Sequence, residues 1–147
     1  MRKFFFNIII YLFYSTYALS ETKFELRAKY VLTNMHNDYI NCYVFYKIGA
    51  ESIRKSNDQN EIIKGVEASS DISLKFAFET GELLGIKIVT MKEQVKSEMK
   101  SQINEIDNDY SNVSILLKKY SSLCKKLIEN KKQRIDYWEK KAVTQFK

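Results

Sequence analysis

The chain has no proline, four glycines, two cysteines and one histidine in 147 residues. Scarcity of proline and glycine excludes a collagen-like or Pro/Gly-rich disordered chain and leaves long helices uninterrupted. One histidine and two distant cysteines exclude a zinc finger or a multi-cysteine scaffold. No Gly-rich phosphate loop, dinucleotide fingerprint or Gly-x-Ser-x-Gly elbow is present. Neither a Cys-x-x-Cys pair nor a haem-attachment motif occurs. The length suits one small domain.

What is abundant is lysine, 20 residues against four arginines, and aromatic side chains at 14%. Ile, Asn, Tyr and Phe are also common, a bias that AT-rich coding produces, so part of the formal charge of +6 reflects codon usage. The charge is unevenly placed. Residues 21–110 carry 12 basic and 15 acidic groups, a balance of −3, whereas residues 111–147 carry 10 basic and 3 acidic groups, a balance of +7.

Residues 1–20 read as a signal peptide. Arg2 and Lys3 precede an apolar run from Phe4 to Tyr14, and Ala18-Leu19-Ser20 places small residues at a cleavage site. The run is shorter than the roughly 20 residues a spanning helix needs. The reading is therefore an exported protein, periplasmic or secreted, that begins near Glu21 as a helical domain over 21–147 and has no transmembrane span after cleavage.

The remainder follows the helical period. Apolar or small residues recur at steps of three and four from Phe24 through Met35, Tyr39, Cys42 and Tyr46 to Ile53. They recur again over 59–84 (Ile63, Val66, Ser70, Ala77, Gly81), 88–106 (Ile88, Met91, Val95, Ile103) and 111–145 (Leu117, Tyr120, Cys124, Leu127, Ile135, Trp138, Ala142). Ser56-Asn57-Asp58, Gly85 and Asp107-Asn108-Asp109 are the breaks. Short breaks favour antiparallel neighbours. The expected fold is all-α: an antiparallel up-down-up-down four-helix bundle with long first and last helices, the second bending or splitting between Gly65 and Ser70.

In such a bundle Cys42 lies about 13 residues before the end of the first helix and Cys124 about 13 after the start of the last. Both stand about 20 Å from the same end. They are thus expected at one height on facing stripes, as a disulfide worth at most about 4–5 kcal/mol in the chain-entropy account. Unpaired core thiols and a redox pair are the alternatives.

Candidate chemistry is sparse. Met35 takes the core position, which turns His36 toward the flank or solvent. Glu79 and Glu82, and Glu21 and Glu25, read as solvated pairs. No metal set or cofactor is expected, and no enzyme. Lys118, Lys119, Lys125, Lys126, Lys132 and Lys140 form a basic face suited to an anionic surface or an acidic protein partner, and nucleic acid is not expected for an exported chain. A small apolar ligand between the first two helices, beside Tyr43, Tyr46, Ala77 and Gly81, is the second reading, because bundle cores can host ligands. Arg134 and Trp138, four residues apart, are placed to stack and clamp one end.

The segments Leu117-Lys118-Lys119-Tyr120-Ser121-Ser122-Leu123-Cys124-Lys125, Arg134-Ile135-Asp136-Tyr137-Trp138 and Asn41-Cys42-Tyr43-Val44-Phe45-Tyr46 resemble a family of small exported helical proteins with two cysteines, found in marine bacteria and their phages. The resemblance implies an exported bundle with facing cysteines and carries no activity. The functional expectation is an exported, disulfide-linked, non-enzymatic envelope interaction protein, with a carrier or sensor of a small apolar ligand as the alternative.

Overall fold

The computed structural model describes residues 22–56 and 60–147. The leader expected over 1–20 and most of the break expected at Ser56-Asn57-Asp58 lie outside the described residues. Among the described residues the fold is all-α, with five helices: α1 (Lys23–Ser56), α2 (Asn60–Leu83), α3 (Ile88–Glu105), α4 (Ser114–Glu129) and α5 (Lys131–Gln145). A short 3-10 turn, Tyr110–Val113, precedes α4. No helix among them is long and apolar enough to cross a membrane.

Helix α1 opens on a reciprocal cap. The Thr22 hydroxyl accepts from the Glu25 amide at 3.2 Å, and the Glu25 carboxylate accepts from the Thr22 amide at 2.7 Å. These bonds hold the Glu25 carboxyl below the usual carboxylate range. With 34 residues, α1 spans about 50 Å. It is the axis of the molecule, and every other helix packs on it.

Helix α2 lies closest. Its fully buried Ser70 and Ser73 face inward, and the Ser70 hydroxyl donates to the Tyr43 carbonyl at 3.3 Å. Small side chains permit this approach, as the sequence pattern implies. The expected split near Gly65–Ser70 is absent, and α2 is one continuous helix. Gly85, at φ +69°, then ends the turn: the Ile86 amide donates to the Gly81 carbonyl at 2.8 Å. Helix α3 is tied to α1 by the buried Gln102, whose amide donates to the Asn41 carbonyl at 3.0 Å. Asp107 and Asn108 take left-handed backbone (φ 55° and 58°), which Asp and Asn tolerate, and the Asp109 carboxylate caps the following turn.

The single long last helix expected over 111–145 is replaced by the 3-10 turn, α4 and α5. Asn130 (φ −148°, ψ 68°) ends α4 and caps α5, its side chain accepting from the Gln133 amide at 3.4 Å. Together α4 and α5 return along α1. Ser52 donates to the Tyr110 carbonyl at 2.9 Å, Cys42 meets Cys124, Asp38 meets Arg134, and Arg27 meets the Phe146 carbonyl at 2.8 Å. The Cys42 and Cys124 Cα atoms are 5.3 Å apart and the side chains form a fully buried disulfide. Around it Met35, Val44, Ile48, Ile106, Leu116 and Leu127 make the core.

His36 departs from expectation. It is buried, not turned to flank or solvent. Its Nδ1 lies 2.9 Å from the Ala77 carbonyl and its Nε2 lies 3.1 Å from Gln94 Oε1. The reason is the central position of α1. Met35, His36, Asp38, Tyr39 and Ile40 are all buried, because neighbours cover more than one face.

Candidate ligand groove

Helices α2 and α5 leave the N-terminal half of α1 uncovered between them. The result is an open groove of about 630 Å3. From α1 it is lined by Phe24, Arg27, Ala28, Val31, Leu32, Met35 and Tyr39, from α2 by Phe76, Glu79, Thr80 and Leu83, and from α5 by Lys131, Ile135, Glu139, Ala142 and Val143. The run from Phe24 to Tyr39 gives the floor a length of about 22 Å. Phe24, Leu83 and Val143, exposed at 79%, 72% and 51%, crowd its open end. Exposed apolar side chains gathered in one place mark a contact surface more often than scattered ones do.

Four charged residues interrupt the apolar lining. Lys131 sits over the Phe76 ring, 5.1 Å from its centroid. Glu79 lies 3.9 Å from Lys75, and Glu139 acts electrostatically on Lys132. Arg27 donates from a terminal nitrogen to the Phe146 carbonyl at 2.8 Å, its Nε is buried without a hydrogen-bond partner, and no carboxylate of the described residues forms an ion pair with it. The Tyr39 phenol is pushed up to about 12, first by burial and then by the Asp38 and Glu79 charges, so it is a neutral group in the wall. The Thr80 hydroxyl is spent on the Phe76 carbonyl at 2.7 Å.

A clamp behind the groove fixes α5. Asp38, almost fully buried, accepts from Arg134 Nε at 2.7 Å, from Arg134 Nη2 at 3.0 Å and from Trp138 Nε1 at 2.6 Å. The guanidinium also lies 4.6 Å from the Trp138 ring centroid, the stacking expected from the i,i+4 spacing. Tyr30 packs edge-on against both Trp138 and Phe146.

The four residues singled out for a ligand between the first two helices are not brought together. Ala77 is buried against the His36 ring, and Gly81 faces Met91 and His36 so closely that no side chain fits. Tyr43 is half-buried against the core. Tyr46 lines a second, smaller groove of about 340 Å3 with Phe45, Val66 and Leu117. Of the six lysines, Lys119 bridges both Glu105 oxygens at 2.8 Å, Lys132 bridges Asp136 at 2.8 Å, and Lys125 lies 4.0 Å from Glu129. Lys118, Lys126 and Lys140 are exposed, with no ion pair among the described residues.

No family model, characterised protein or solved structure matches the chain.

Proposed function

We propose that this chain is an exported, non-enzymatic binding protein that holds an apolar ligand in the groove between α1, α2 and α5. The observation that carries the reading is the groove itself: about 630 Å3 of mostly apolar space, inside the range of about 300–1,000 Å3 typical of small-molecule sites. Its lining holds no histidine, cysteine or serine, the side chains from which an activated nucleophile and its base are most often built. The bundle plan belongs to the same proposal, with α4 and α5 together serving as the fourth segment, as does membership of the small exported helical family. The buried disulfide favours an oxidising compartment, where such bonds persist. A reading through the basic face has less support, since three of its six lysines already have acidic partners.

Native mass spectrometry of the protein from its own host tests the proposal. The expected species begins at Glu21, is two hydrogens lighter than the reduced chain and carries a small-molecule adduct released on collisional activation. A retained leader together with unpaired thiols overturns export, and a bare mass at every activation energy counts against the ligand.

A further inference from the structure

Resting on the groove reading, we infer that the ligand is a single-chain amphiphile with an anionic head, a fatty carboxylate, whose head is held by Arg27. The groove is elongated, with a floor of about 22 Å along α1 and mostly apolar walls from α2 and α5. That shape suits one extended acyl chain. Of the charged groups in the lining, Arg27 alone combines three features. It is tethered, through its bond to the Phe146 carbonyl. It has no carboxylate pair among the described residues, and its guanidinium keeps terminal N–H groups beyond the one spent on Phe146.

Of the other charges, Lys131 covers the Phe76 ring, Glu79 has Lys75 beside it, and Glu139, like Glu79, repels an anionic head. A carboxylate near Arg27 adds a charge-assisted hydrogen bond to the chain's apolar burial. An ammonium head meets a like charge there, and a hydroxyl head can accept from the guanidinium but brings no opposite charge to it.

Calorimetric titration of the full chain, in the form the cell accumulates, uses three probes with one chain: laurate, dodecanol and dodecyltrimethylammonium. Laurate is expected to bind about tenfold more tightly than dodecanol, the worth of one hydrogen bond to a charged group, and the cation most weakly. Arg27→Gln is expected to bring laurate to the level of dodecanol while leaving dodecanol unchanged, and Arg27→Lys to restore part of the preference. A purely structural Arg27, capping the end of α5, would alter melting without altering that preference. Equal affinity for laurate and dodecanol in the natural sequence overturns the inference and leaves the groove reading standing. So does a laurate preference that survives Arg27→Gln. Failure of all three probes to bind overturns the groove reading itself, and Ala28→Trp, which fills the floor, is expected to weaken all three alike.

Discussion

Asp38 on α1 and Arg134 on α5, 96 positions apart, form a bidentate pair whose carboxylate is almost fully buried. Trp138 Nε1 donates to the same carboxylate at 2.6 Å. Three donors therefore converge on one acid, which anchors the last helix to the axis beside its apolar contacts.

Removing that acid leaves a partly buried guanidinium and an indole N–H without their acceptor. Asp38→Ala is expected to cost about 3–5 kcal/mol, the range for breaking one side of a buried pair. Chemical denaturation measures the loss. Trp138 is the sole tryptophan, so its fluorescence reports separately whether α5 has loosened, and unchanged emission would show that α5 is held by its apolar contacts alone.

The disulfide leads to a second expectation. Cys42 and Cys124 are both fully buried, so a reductant does not reach them in the folded protein. Thiol titration with reductant present should find no free thiols under native conditions and two once denaturant is added. Replacing both cysteines with alanine should lower stability by about 2–4 kcal/mol, for a loop of 82 residues. Rapid reduction without denaturant would mean that α4 opens from α1 easily.

Much of this architecture is legible in the sequence, for reasons that can be named. The breaks at Gly85 and at Asp107-Asn108-Asp109 follow from backbone that Gly, Asp and Asn tolerate. The meeting of Cys42 and Cys124 follows from equal distances to a shared end. The break at Asn130 has a local signal as well: Asn130 and Gln133 stand at the spacing of a capping box, Asn-x-x-Gln. Six polar residues, Glu129 to Arg134, also interrupt the apolar stripe between Ile128 and Ile135, a gap that a single long last helix overlooks.

The burial of His36 and Asp38 is less accessible to such reasoning. A one-stripe helix assigns them to solvent, whereas α1 is covered on several faces, a property of the assembled neighbours. The groove is hidden for the same reason. Phe24, Val31 and Ile135 read as ordinary core positions, and only the separation of α2 from α5 leaves them lining open space.

Gly81 gives a third prediction. A Cβ there would overlap Met91 Sδ and stand 3.0 Å from His36 Cε1. The His36 ring is buried, with its nitrogens 2.9 Å from the Ala77 carbonyl and 3.1 Å from Gln94 Oε1, and cannot yield easily. Gly81→Ala should therefore destabilise by about 1–3 kcal/mol, despite alanine's better helix propensity. The cost should shrink when measured in a Met91→Ala background, where the space is available. A fully additive double variant would place the strain elsewhere than at Met91.

Alkaline pH supplies the last prediction. Burial, followed by the Asp38 and Glu79 charges, pushes Tyr39 up to about 12, against about 10 in an unfolded chain. Tyr46 and Tyr120 shift in the same direction, each chiefly through burial. The neutral phenol is the form the fold accepts, so this contribution is whole below about pH 10. Above that, the unfolded chain releases its proton first and binds fewer protons than the native one. Stability therefore falls as pH rises from about 10 toward 12, by at most about 1.4 kcal/mol per pH unit for each tyrosine. Urea unfolding followed between about pH 9 and 11.5 should show the decline, and Tyr39→Phe should make it shallower. Identical slopes for the two proteins would mean that Tyr39 ionises as readily in the fold as out of it, and that the wall of the groove is wetter at that point than its burial implies.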